Sequence, residues 1–179
     1  MTMMQIGVVK AQNTYKSSTF SYENMEYKKN RFAFDFGIGG AKGGGAFDLG
    51  VRYQRNFAPF FGWDVLSAKV CFPLEDTFDD NPDLQIMTGF RGTTPYFYKN
   101  MSGFVSIGAG YGFSTDSGVY DNEGGACLEV GVGVNLCKNV YIGYAFNLQK
   151  TKCTVRINKY EETIHAKGKL HYFRIGFIL

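Results

Sequence analysis

Two histidines, His165 and His171, are where acid–base chemistry would be sought in this chain of 179 residues. With Ser114 or Ser117 as nucleophile and Glu123 as orienting acid they would make an acyl-hydrolysing set. Such a set needs nucleophile, base and acid within hydrogen-bond reach, and no local motif places these residues so. The acidic run Asp76, Asp79, Asp80, Asn81 and Asp83 offers oxygen ligands of the kind Ca²⁺ takes. The EF-hand spacing and its glycine are absent, so the run reads as a solvated loop. The glycine-rich stretch 39–45 resembles a phosphate loop only in composition, because no helical pattern follows it. Cys71, Cys127, Cys137 and Cys153 show neither C-x-x-C nor Cys/His metal spacing. They are expected to be free thiols, with Cys127 and Cys153 on neighbouring strands but several residues apart in register. No cofactor, no metal site and no catalytic residue is expected.

Composition narrows the class. A net charge of +3, with no basic helix and no RNA-binding motif, argues against a nucleic-acid partner. No run of 18 or more apolar residues exists, so no transmembrane helix is expected. Yet 17% of the residues are aromatic and 23 are glycine.

The elements that would position any functional group are strands. In the stretch 127–136 the even positions are Leu128, Val130, Val132, Val134 and Leu136; the odd ones are Cys, Glu, Gly, Gly and Asn. After Cys137-Lys138-Asn139 the rule resumes, with Val140, Ile142, Tyr144, Phe146 and Leu148 on one face. Strict period-two alternation is a strand signal and is incompatible with an amphipathic helix. Its length exceeds the roughly 5–6 residues of a soluble strand and fits the ~9–11 of a tilted membrane strand. Similar alternation marks residues 32–38, 46–54, 61–68, 84–91, 104–113 and 170–179, giving eight strands in all. In the third, Phe61, Trp63 and Val65 are expected opposite Gly62, Asp64, Leu66 and Ala68. The fold expected is an all-β, eight-stranded, antiparallel up-and-down transmembrane barrel with short periplasmic turns and longer outer loops.

Volume decides which face is inside. The apolar face carries large and often aromatic side chains on every strand, more than a narrow eight-stranded lumen can hold. The other face is rich in glycine, so it is the lumen, and the apolar face meets lipid. Within the eight spans the charged residues are Asp35, Asp48, Arg52, Asp64, Arg91, Glu129 and Arg174, all on the polar face. Lipid-facing Arg or Lys at mid-bilayer would cost about 2–4 kcal/mol, which explains the segregation. These seven are expected to form one lumen polar network.

Residues 1–30 read as the remnant of an export signal, with Ala11 at the cleavage position, followed by a flexible polar tail; residues 31–179 form the barrel domain. The segment 150–169 is expected to continue the last two strands as a protruding hairpin. Pairing Phe146 with Ile175 sets a register that joins Val155 to Ala166 and Ile157 to Ile164, all on the axis side, with the turn at Tyr160-Glu161.

The last strand, His171-Tyr172-Phe173-Arg174-Ile175-Gly176-Phe177-Ile178-Leu179, completes a pattern that resembles small bacterial outer-membrane proteins. The group is the outer-membrane protein A/X-like eight-stranded β-barrel superfamily, whose members commonly end in Phe where Leu179 stands here. The resemblance implies a bacterial outer-membrane location and assembly by the barrel-assembly machinery through the C-terminal strand. It also implies contact with outer-membrane lipid and lipopolysaccharide; the basic residues Lys150, Lys152, Arg156, Lys159, Lys167 and Lys169 are expected to meet either lipopolysaccharide phosphates or the acidic run. The function expected is non-enzymatic: an envelope-structural or surface-interaction and adhesion role through the outer loops, toward an extracellular partner. The alternatives are a narrow channel or a lipid-modifying enzyme.

Overall fold

The computed structural model is a closed barrel of eight antiparallel strands, each paired with its neighbour in chain order and the eighth with the first. The structure describes residues 28–41, 44–74, 83–114, 120–157 and 160–179. For residues 41, 73, 114, 120–123, 151–157 and 160–167 it describes the strand backbone and not the side chain. The expected leader remnant and most of the polar tail lie outside the described residues, as does most of the acidic run.

The strands are β1 (Asn30–Ala41), β2 (Gly44–Ala58), β3 (Phe61–Pro73) and β4 (Asp83–Thr93), then β5 (Ser102–Ser114), β6 (Tyr120–Asn135), β7 (Val140–Ile157) and β8 (Tyr160–Ile178). Closure leaves no edge within the barrel wall and satisfies the backbone from strand to strand, as lipid requires. Alternation places Phe32, Phe34, Phe36 and Ile38 outward and exposed on β1, against buried Ala33 and Asp35. The same apolar outer belt continues through Leu49, Val51, Ile107, Val130, Ile175 and Phe177.

Phase is lost in one expected strand. Asp64 pairs with Gly89 and Ser67 with Met87, so Val65 and Leu66 together oppose Thr88. This β-bulge turns Leu66 outward, 49% exposed, and swings Ser67, Lys69 and Cys71 into the lumen. The expected inward placement of Leu66 and Ala68 is therefore corrected. A second bulge lies between Asn122 and Gly124 of β6, where Gly124 has φ +68°, a conformation glycine adopts without a Cβ clash.

At the end bearing the start of β1 and the finish of β8, the turns span residues 59–60, 94–101 and 136–139. At the opposite end the extra length resides in strand rather than loop: β6, β7 and β8 run 16, 18 and 19 residues. The β1–β8 ladder stops at Gly40↔His171, whereas β7–β8 pairing continues to Ile157↔Tyr160. On the other side β6 stays paired to β7 as far as Tyr120↔Val155, after its ladder with β5 has ended at Gly112↔Gly125. A three-stranded extension thus rises from one side of the barrel.

The hairpin register expected from the sequence is corrected here. Phe146 pairs with His171 and Ile142 with Ile175, so Val155 meets Glu162, Ile157 meets Tyr160, Ile164 meets Cys153, and Ala166 meets Thr151. The slip is four residues, an even number, so it leaves each position on its expected face and the alternation could not reveal it. Tyr160 pairs with Ile157 and Glu161 with Arg156, so the expected turn at Tyr160-Glu161 is corrected as well.

Candidate functional site

The inward faces of the eight strands bring polar and aromatic side chains into the lumen. Six of the seven expected charged residues are buried there: Asp35, Asp48, Arg52, Asp64, Arg91 and Arg174. Glu129 joins them with 12% of its side chain accessible. Six of the seven fall into two ion-paired clusters.

The first cluster is built on Arg174 of β8. Its Nη2 donates to Asp48 of β2, and its Nη1 donates to Glu129 Oε1 of β6 at 3.0 Å. Glu129 also pairs with Lys69 of β3. Asn147 Nδ2 donates to Gln85 Oε1 at 2.9 Å, and Gln85 Nε2 donates to Gln149 Oε1 at 2.7 Å, so neutral amides extend the cluster toward the hairpin end. The second cluster is built on Arg52 of β2, which lies 3.7 Å from Asp35 and 3.6 Å from Asp64. Its Nη2 donates to the Tyr141 hydroxyl at 2.9 Å, and that hydroxyl in turn donates to Asp35.

Arg91 belongs to neither cluster. Its guanidinium lies 3.5 Å from the centre of the Phe104 ring and 4.7 Å from that of Tyr141, a cation held on aromatic faces. The Phe104 and Tyr141 rings meet edge to face at 5.3 Å. Together they form a stacked floor between the Arg52 cluster and the terminal end of the barrel.

Lys69 was missing from the sequence-derived set, because strict alternation from Phe61 ends that strand before it and assigns it the lipid side. Its signal was present: Ser67, Lys69 and Cys71 alternate with Leu66, Ala68 and Val70 once the adjacent apolar pair Val65-Leu66 is read as a phase slip. With Lys69 the lumen holds four bases (Arg52, Lys69, Arg91, Arg174) against four acids (Asp35, Asp48, Asp64, Glu129).

The glycines on this face do more than keep the lumen narrow. A Cβ on Gly133 would come within 2.6 Å of Phe104 Cζ, and one on Gly143 within 3.1 Å of the same atom. A Cβ on Gly176 would collide with the Tyr141 ring, and one on Gly37 with the Asp48 carboxylate. Gly37 and Gly176 are thus slots for a specific side chain from a neighbouring strand, whereas Gly133 and Gly143 pass closest to the backbone carbonyls of Ile142 and Val132 and next to Phe104. What remains between the clusters is a cavity of about 40 Å³, room for a water molecule or so.

Of the sequence-derived catalytic candidates, only His171 is described with its side chain. His171 is exposed on the lipid side, where its ring bonds to the Tyr144 hydroxyl and lies 4.8 Å from Phe146. The Ser117 position and the side chains of Ser114, Glu123 and His165 lie outside the described residues, as do those of Val155, Ile157, Ile164 and Ala166. Cys71, Cys127 and Cys137 are free.

No protein-family profile and no curated protein sequence matches the chain. Solved structures do. Neisserial surface protein A superposes with a TM-score of 0.55 at 8% identity, over 84% of this chain and 97% of that one. The outer membrane protein OprG from Pseudomonas aeruginosa gives 0.55 at 12% identity, over 85% and 96%. The N-terminal β-barrel domain of Pseudomonas aeruginosa OprF gives 0.52 at 10% identity, over 86% and 100%. Two of the three carry the outer membrane or the cell surface in their names, in accord with an apolar belt built to face lipid. At such low identity it is architecture that is shared: this chain has the eight-stranded barrel fold of bacterial outer-membrane proteins.

Proposed function

We propose that the protein is an integral, non-enzymatic barrel of the bacterial outer membrane, sealed along its axis, that acts at the surface through the extension of β6, β7 and β8. The termini end is then periplasmic and the extension faces outward. The observation that carries this reading is the free edge of β8. Among the described residues, its backbone from Tyr160 to Leu170 is paired with β7 alone, since the β1 ladder stops at Gly40↔His171. Unpaired N–H and C=O groups in a row are a template for an added strand, and β-augmentation gives main-chain affinity with few side-chain demands.

The lumen supports the sealed half of the reading. Its ion pairs and aromatic stack cross the axis, and the cavity between them is about 40 Å³. Partners at the membrane follow from the same geometry. The exposed Lys150 and Lys169 sit above the outer apolar belt, positioned for lipopolysaccharide phosphates. The lipid-facing Phe173, Ile175 and Phe177 give β8 the alternation that the barrel-assembly machinery would read.

The test replaces residues 150–167 by a two-residue turn. The shortened protein is expected to insert and to retain heat-modifiable migration on gels while losing cell-surface adhesion. Neither form should conduct in planar bilayers. Adhesion unchanged by the deletion, or discrete channels in the intact protein, would reject the reading.

A further inference from the structure

The outer wall of the barrel carries a histidine where lipid is expected. Below it, toward the middle of the wall, an open groove of about 530 Å³ crosses β1, β8, β7 and β6. Phe36, Ile38, Val134, Ile142, Phe173 and Ile175 line it. Its size falls within the roughly 300–1,000 Å³ of sites that take a small organic ligand. Phe173 is 73% exposed, so the wall itself covers little of that ring.

Tyr144 joins the groove to the histidine. Its ring lines the groove and meets the Phe173 ring at 5.4 Å, while its hydroxyl bonds to Nδ1 of His171. His171 pairs across the ladder with Phe146, whose ring centre lies 4.8 Å from the imidazole. The imidazole is thus held through one nitrogen and against one ring. When Nδ1 accepts from the hydroxyl, Nε2 carries the ring proton and is left as a donor. No described residue bonds to Nε2. A polar group on a lipid-facing wall is costly unless something polar meets it there.

Positive charge lies directly beyond. Lys169 precedes His171 by two residues and shares its face, and Lys150 is the diagonal neighbour of Lys169 on β7. Both lysines are exposed, and no ion pair among the described residues engages them. Like charges on neighbouring strands repel, and an anion shared between them removes that cost. Among the described side chains on the outward faces of β7 and β8 there is no Asp or Glu.

Along the strands the wall therefore presents an apolar groove, an imidazole donor and two lysines, in that order. A glycolipid with acyl chains below a sugar phosphate has its parts in the same order. A zwitterionic phospholipid would instead bring an ammonium toward the lysines. We infer that β7 and β8 form a specific seat for lipid A. One acyl chain lies in the groove, and a sugar phosphate is held by His171, Lys169 and Lys150. This seat narrows the lipopolysaccharide contact proposed above to one bound molecule, and it rests on the extension facing outward.

The experiment uses the full chain in dodecylmaltoside micelles, which contribute no phosphate of their own. Backbone amide shifts of Tyr144, Phe146 and His171 are followed during titration with diphosphoryl lipid A, with its fully deacylated sugar phosphate, and with phosphatidylglycerol. Saturable shifts with lipid A are expected, and an affinity weaker by an order of magnitude or more for the other two. His171→Gln and Lys169→Gln, both on the outer wall, should each weaken lipid A binding several-fold while heat-modifiable migration on gels is kept. No saturable shift with lipid A, equal affinity for either of the other compounds, or full affinity in both variants would overturn the seat. An epitope inserted between Ile157 and Tyr160, probed with antibody on intact cells, reads the orientation separately. An epitope hidden on intact cells and exposed on lysis rejects the outward reading and the seat with it. An accessible epitope without saturation by lipid A rejects the seat alone.

Discussion

The middle of the lumen and the three-stranded extension are built from the same strands and held by different physics. In the lumen, β2, β3, β6 and β8 each contribute a charged side chain to the Arg174 cluster, so side chains far apart in sequence lock the barrel across its axis. In the extension, the described links are backbone ladders between sequence neighbours, β6 with β7 and β7 with β8. The first region resists change because a buried charge that loses its partner has no water to turn to. The second is held, among the described residues, along the sheet alone.

The largest effect should come from Arg174→Met. It leaves the 1%-exposed Asp48 carboxylate without its cation and removes one of two cations from Glu129. A loss of about 3–5 kcal/mol is expected, read as a lower urea midpoint in micelles from the fluorescence of Trp63, the protein's one tryptophan. A midpoint like that of the parent protein would erase the contrast between the two regions.

Gly133→Val should rank next. Its Cβ would come within 2.3 Å of the Ile142 carbonyl oxygen, 2.6 Å of Phe104 Cζ and 2.7 Å of Gly143 Cα, and overpacking of this kind costs roughly 1–3 kcal/mol. The paired change Gly133→Val with Phe104→Ala should recover part of that loss if the glycine is a slot for the ring. No recovery would mean that strand geometry, not the ring, requires glycine there.

Arg91→Met separates charge pairing from simple filling of the lumen. No ion pair among the described residues depends on Arg91, so the change should forfeit only the cation–π contact, roughly 2 kcal/mol or less. A loss equal to that of Arg174→Met would merge Arg91 into the ion-pair network.

Smallest of all are changes outside the lumen. Lys99→Met, on an exposed turn, should stay within about 0.5 kcal/mol of the parent, and shortening the extension should leave the urea midpoint of the barrel unmoved. Co-loss of barrel stability with the extension would show that the two regions fold as one unit.

The faces of the strands were legible in the sequence, because period-two alternation is a local property and lipid forbids charge on the outer side. Asp35, Asp48, Arg52, Asp64, Arg91, Glu129 and Arg174 could therefore be placed in the lumen with no knowledge of strand pairing. What alternation cannot carry is anything that depends on position along a neighbouring strand. Lys69 was hidden by a bulge that resets parity, and a bulge is set by how two strands meet. The β7–β8 register was missed by four residues because an even slip leaves the alternation of faces unchanged, although Phe146 then meets His171 and Leu148 meets Lys169. The choice of ion partners, Arg174 with Asp48 and Glu129 but Arg52 with Asp35 and Asp64, likewise appears only once the barrel has closed. So does the use of glycines as slots for Asp48 and Tyr141. Sequence alone determined inside and outside, through a one-dimensional pattern and the cost of burying charge in lipid. Tertiary structure decided who touches whom, because register, bulges and closure are relations between strands.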